Sequence, residues 1–239
     1  MIYTIEDFIN AYSEIENMGW IRTHRAGPTG VGKTLEDLLG IEENNYHAPD
    51  FGEYELKSCR INSTSMLTLF TQTPRPPRAN ILLREKYGYS SNAYDNDEKV
   101  LHATLKATGF TPIAYTGHLL KIACLEDRIA IESENGLEDI YWDREELRKS
   151  FNKKYKNKFV YAKALSRGTG ANEEFDFIEA FEVSGFSYDS FVDLLEQGEI
   201  CIDLRIGQYP DGRIHDHGTA FRISEAQQSN LFLINHKIA

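Results

Sequence analysis

The chain has 239 residues, a formal net charge of −11, 41% hydrophobic and 26% charged residues, and three cysteines. That length buries a sizeable interior in one large domain or two lobes. No apolar run nears the ~20 residues that span a bilayer, and the first 20 residues lack the basic start and apolar core of a secretion signal. Cys59, Cys124 and Cys201 are odd in number and far apart. They suit neither a disulfide framework nor a zinc site, and point to a reducing cytoplasm.

In chain order, Ile5, Phe8, Ile9, Tyr12 and Ile15 recur at three- and four-residue steps and predict a helix over 3–18. A glycine-rich loop at 27–32 precedes a helix over 34–41, ended by Gly40. Strands are predicted at 53–58 and 66–72, then a stiff proline-rich loop, TPRPPRAN, at 73–80. A helix at 81–87 and a polar loop at 88–99 come next, followed by strands within 113–125 and 128–132. A helix at 143–150, a buried strand at 159–165, a helix at 188–196 and a strand at 200–206 complete the regular pattern. PDGRIHDHG then reads as a turn-rich loop, and TAFRI as a last strand.

Charge is clumped along this order. Residues 144–167 hold nine Lys/Arg against two acids, and 171–199 hold nine acids with no Lys or Arg. The basic run is either a solvated helix face or a positive wall that tracks phosphates. The overall acidity therefore does not exclude a polyanionic partner, because distribution matters more than the total.

Two motifs bear on chemistry. Residues 27–34, GPTGVGKT, match the phosphate-cradling pattern G-x-x-x-x-G-K-[ST], in which Lys33 would reach phosphates and Thr34 a magnesium ion. That reading makes the chain a nucleotide hydrolase. It wants a buried apolar strand just before the loop, and the preceding GWIRTHRA is polar and basic. The other reading is a tight turn feeding a helix. The second motif is D-x(4)-E-x-K in PDFGEYELKS (49–58). On a strand, Glu55 and Lys57 point to one face, and Asp50 at the turn before it can bend back to them. Two carboxylates side by side repel unless a cation lies between, and magnesium prefers such oxygen donors. Glu36 could add a third carboxylate. An ordinary charge alternation on a surface strand would give the same string.

The run GVGKTLEDLLGIEENNYHAPDFGEYELKS, followed by LTLFTQTP, resembles the restriction endonucleases of the MvaI/BcnI family and, more distantly, the MutH-type mismatch-repair nickases. DLRIG (203–207) and HDHGTAFRI (215–223) resemble the MvaI branch in particular. The resemblance runs in order over most of the chain and is weakest across 88–155.

It implies a mixed α/β fold with a PD-(D/E)XK nuclease core in a catalytic lobe, about residues 1–170. A DNA-recognition lobe would cover 171–239, with a cleft between the two. It further implies Asp50 and Glu55 as ligands of a catalytic Mg²⁺, Lys57 as the catalytic lysine and Glu36 as an auxiliary acid. Asp203 and Arg205 would read bases, Arg222 the central base pair, and His215 and His217 would contact DNA. The implied enzyme is a monomer in a bacterial or archaeal cytoplasm, with double-stranded DNA as substrate and a cognate DNA methyltransferase beside it. It would cut short CC-N-GG-like sites by successive nicks. A strand nickase, a nucleotide hydrolase acting through residues 27–34, and a DNA-binding module with a dead site are the competing readings.

Overall fold

The computed structural model describes residues 2–41, 50–61, 66–90, 99–155, 158–209, 214–216, 219–224, 227 and 230–239, with the backbone alone at 154, 208 and 214–216. In order, the elements are α1 (Ile5–Glu16), β1 (Ile21–Arg22), α2 (Gly30–Leu39), β2 (Tyr54–Arg60), β3 (Leu67–Thr71), α3 (Ala79–Tyr87), β4 (Tyr89–Ser90) and β5 (Lys99–Leu105). There follow β6 (Thr111–Pro112), β7 (Leu119–Cys124), β8 (Arg128–Ser133), β9 (Gly136–Asp143), α4 (Arg144–Lys154), β10 (Lys158–Arg167) and β11 (Glu174–Phe186). The chain closes with α5 (Tyr188–Glu196), β12 (Ile200–Gln208), β13 (Ile214–Asp216), β14 (Ala220–Ile223) and β15 (Phe232–Lys237). Among the described residues, no helix is long and apolar enough to cross a membrane.

Two compact units divide the chain, and the division is not the single cut near 170 expected from the sequence. One unit comprises residues 1–65, 155–186 and 232–239, the other 66–154 and 187–231. Strand pairing is the reason. β10 pairs antiparallel with β11 and parallel with β2, and β15 returns to β11, so residues 171–186 and the C-terminus stay with the first unit.

The first unit is a mixed sheet of order β1-β11-β10-β2, with β15 on β11. Its helix-covered face gathers Phe8, Tyr12 and Ile15 of α1, Val31, Leu35 and Leu39 of α2, Tyr54 and Leu56 of β2, and Val160, Phe175 and Phe177. Fully burying one such side chain contributes about 1.5–3 kcal/mol. The opposite face carries a smaller aromatic cluster built on Phe159, Tyr161 and Val183, with Tyr155, Phe186 and Phe232 packed on it. Thr4 and Asp7 form a reciprocal cap at the start of α1, satisfying amides that no helical carbonyl reaches. α2 begins four residues earlier than the apolar spacing predicts, so the glycine loop supplies its first turn. A side-chain carbon at Gly30 would run into the Arg25 carbonyl and lie 2.8 Å from Thr23 Oγ1, which only glycine avoids. Gly40 ends α2 in the left-handed region at φ 67°, as its sequence position suggests.

The second unit holds a sheet of order β3-β14-β12-β5-β4 with β13 on β12, and a separate meander β6-β7-β8-β9. Its interior is aromatic: Phe70, Phe151, Phe191 and Phe221 pack on one another, and Trp142 meets Phe221 edge-on. The Trp142 indole N–H donates to the Gln72 carbonyl at 2.8 Å, so its one polar atom is satisfied.

Candidate active site

β2 is the outermost described strand of its sheet. Its alternation sends Tyr54 and Leu56 into the helix-covered core and turns Glu55 and Lys57 to the other face. There the Lys57 ammonium contacts the Glu55 carboxylate directly. Glu55 and Lys57 keep side-chain exposures of 23% and 36%, so both remain open to solvent. Their register partners on β10 are Phe159 and Tyr161, and Lys57 Nζ lies 6.0 Å from the centre of the Phe159 ring. The charged pair thus rests on an aromatic floor, with water on the other side. Tyr155 belongs to that floor. Burial first, and the negative charge of Glu55 second, push its hydroxyl pKa well up, so it stays protonated.

Asp50 bends back to this strand. Its Oδ2 accepts from the amide of Leu56, the residue between Glu55 and Lys57, at 2.6 Å. The structure therefore brings Asp50, Glu55 and Lys57 to one short stretch of strand edge. Glu36 lies on α2. A side-chain carbon at Gly32 would lie 3.9 Å from Glu36 Oε1 and 3.5 Å from Ser58 Oγ, on the strand face that α2 covers. Among the described residues, no three His, Cys, Asp or Glu side chains gather as a metal cage. The expected third carboxylate is thus not assembled with the other two. What Asp50 and Glu55 offer is a pair of oxygen donors at a solvent-open edge. That fits magnesium, which keeps several waters and uses one or two carboxylates, and does not fit a dedicated protein cage.

The GPTGVGKT loop does different work from phosphate binding. The Arg60 guanidinium takes the Gly27 and Pro28 carbonyls at 3.0 and 2.9 Å and pairs with Glu173. Thr34 is fully buried, its hydroxyl donating to Gly30 O and accepting from the His24 amide. Lys33 pairs with Asp37 at 2.7 Å. The threonine that would meet magnesium is sealed in, and the strand before the loop is only two residues long. The nucleotide-hydrolase reading therefore fails on geometry, and the loop is the turn that starts α2.

The basic run 144–167 is in part neutralised. It is split between the two units, and much of it is paired. Arg144 meets Glu196, Arg148 meets Glu145 and Asp189, Lys158 meets Glu53, and Arg167 meets Glu174.

A second charged cluster lies on β12 and its neighbours. Asp203 is 7% exposed. Its Oδ1 accepts from the Thr104 hydroxyl at 2.9 Å, and its Oδ2 from Arg222 at 2.7 Å. Arg222 also donates to the Met66 carbonyl at 2.7 Å. Arg205 Nε lies 3.6 Å from Asp203 Oδ2, and its side chain is 37% exposed. The structure thus joins Asp203, Arg205 and Arg222. His215 lies on β13, opposite Gly207, with only its backbone described. His217 lies outside the described residues. Thr104 escaped the sequence reading, which leaves 100–105 unassigned. The alternation in LHATL (101–105) is the signal that would have found this strand.

No curated protein sequence matches the chain. The profile of the MvaI/BcnI restriction endonuclease family matches residues 9–232. Among solved structures, the complex of restriction endonuclease MvaI with its cognate DNA superposes with a TM-score of 0.82 at 31% identity, covering 100% of both chains. MvaI in the absence of DNA superposes with a TM-score of 0.61 at 29% identity, covering 100% of this chain and 99% of that one. The fold is accordingly the mixed α/β fold of those enzymes, consistent with a PD-(D/E)XK nuclease. The chain belongs to the MvaI/BcnI restriction endonuclease family, and is with it a site-specific DNA endonuclease.

Proposed function

We propose that this type II restriction endonuclease hydrolyses phosphodiester bonds of double-stranded DNA in a magnesium-dependent reaction, with Asp50, Glu55 and Lys57 as its catalytic groups. The observation that carries the reading is Asp50 seated on the Leu56 amide beside the Glu55–Lys57 pair. Asp50 and Glu55 would hold the ion, which when bound supplies a polarised phosphate oxygen and a water of lowered pKa. The remaining work falls to the chain. Lys57 donates through Nζ and exchanges its present partner, Glu55, for the attacking water or the negatively charged phosphate. The Phe159 floor limits water on one side and strengthens that interaction. Glu36 of α2 is the auxiliary acid on this reading.

The first unit is the cutting unit and the second the reading unit, with Asp203, Arg205 and Arg222 as its sequence-reading cluster. Arginine forks suit guanine O6 and N7. His215 and His217 are further DNA contacts on this reading. Family membership supports a short pseudopalindromic target of the CC-N-GG kind, a monomeric enzyme cutting by successive nicks, and a cognate methyltransferase in the same bacterial or archaeal cytoplasm. The test is digestion of plasmid DNA with and without Mg²⁺, followed by sequencing of the ends. Discrete cuts at one repeated short sequence, lost on chelation, are expected. Random degradation, or cutting that survives chelation, would refute the reading.

A further inference from the structure

On the second unit's main sheet, His102 of β5 and Arg205 of β12 are register partners, and so are Thr104 and Asp203. Direct partners on adjacent strands carry side chains to the same face, about 5 Å apart. With Ala103 and Leu204, these four residues line a concavity of about 560 Å³. Inside it, the Asp203 carboxylate is committed to Thr104 and Arg222. The outward-facing donors are therefore the Arg205 guanidinium and the His102 imidazole. His102 is exposed, and among the described residues its side chain makes no hydrogen bond or ion pair. Its backbone, in contrast, is held. β5 runs between β12 and β4 and pairs with both. A rigidly mounted imidazole with nothing to bind, opposite an arginine in a concavity, is built for an external acceptor.

We propose that His102 is a specificity-determining residue that donates a ring N–H to the N7 of a purine next to the guanine taken by Arg205. This rests on the DNA-reading role given above to the β12 cluster. The chemistry fits, since every purine presents N7 as an acceptor in the major groove and no pyrimidine does. His102 therefore separates purine from pyrimidine at its position, while Arg205 selects guanine at its own.

The test uses duplexes carrying the cleavage site mapped on plasmid DNA, with each purine replaced in turn by its 7-deaza analogue, which lacks only that acceptor. The wild-type protein should lose about tenfold in cutting rate at the Arg205 guanine and at one further purine. His102→Ala should slow cutting of the unmodified duplex by a similar factor and become insensitive to the deaza change at that further purine alone. His102→Gln, which keeps an N–H donor, should restore part of the sensitivity. Unchanged cutting by His102→Ala, or an equal loss on every duplex, overturns the proposal. A wild-type protein that cuts nothing strikes the nuclease reading itself, and that outcome is seen before any variant is compared.

Discussion

On β2, Glu55 pairs with Lys57 at an open strand edge, both partly in water, and Asp50 accepts from the Leu56 amide. On β12, Asp203 is closed in between Thr104 and Arg222, with Arg205 beside it. The first cluster can change partners cheaply; the second cannot. Catalysis by a metal-activated water needs carboxylates that trade a lysine or a solvent molecule for an ion. Base reading needs donors whose direction is fixed before DNA arrives, since ordering them on binding would weaken discrimination. Separate substitutions should therefore break activity at one cluster and stability at the other.

The largest effect is expected at the open cluster. Glu55→Ala or Asp50→Ala removes charge stabilisation of several kcal/mol. At 1.36 kcal/mol per factor of ten, this lowers magnesium-dependent cutting by about a thousandfold. Gel-shift affinity for the mapped site should stay near wild type in both, and the thermal stability of Glu55→Ala should move by no more than ~0.5 kcal/mol. Cutting at near-normal rate by both variants would remove the site assignment.

The closed cluster should respond in the opposite sense. Asp203→Ala leaves Arg222 without its carboxylate in a largely buried place, which costs about 3 kcal/mol, the low end for a broken buried pair because Arg222 keeps some exposure. In a chain of this size that is a fall of roughly 6–12 °C in thermal midpoint, read by calorimetry. A midpoint equal to that of Glu55→Ala would erase the contrast between the two clusters.

The two clusters were unequally legible in the sequence. D-x(4)-E-x-K gave up its geometry because strand alternation alone puts Glu55 and Lys57 on one face, and a turn suffices for Asp50. Glu36 was legible only as a helix acid, because sequence spacing does not say which residues of β2 an α2 side chain meets. β11 went unassigned since its acids, Glu174, Asp176, Glu179 and Glu182, read as a charged block that masks the apolar Phe175, Phe177 and Phe181 between them. The basic run was visible as charge, but its acidic partners lie mostly in other elements, so its neutralisation was not. The lobe boundary was hidden for the same reason: pairing of β10 with β2 and of β15 with β11 gathers into one unit segments that the chain order separates. Asp203, Arg205 and Arg222 carry no local signature of mutual contact and were singled out by resemblance alone.

A smaller effect sharpens the reading of the glycine loop. Lys33→Ala removes a pair with Asp37 at i, i+4, worth about 0.3–0.5 kcal/mol. Cutting should be unchanged, and labelled ATP should bind neither protein in a filter assay. Loss of cutting in this variant would return the loop to the chemistry.

The smallest effect lies away from both clusters, in the β6–β9 meander, and concerns acid stability. Glu134 accepts from the Leu119 amide at 3.0 Å and meets His118 Nδ1 at 2.9 Å. The histidine first and the amide second hold its carboxyl down to about 2, against an ordinary 4.5. A carboxyl depressed in the folded state contributes its full stabilisation above pH 4.5, where the unfolded chain is ionised too. That contribution is lost as the pH falls from 4.5 through about 2, because the unfolded chain takes up its proton first. Glu134→Gln has no such proton to take up. Its thermal midpoint should fall less steeply than the parent's over that window and run parallel to it above, whereas equal slopes throughout would mean that His118 and Leu119 do not hold the carboxylate in solution.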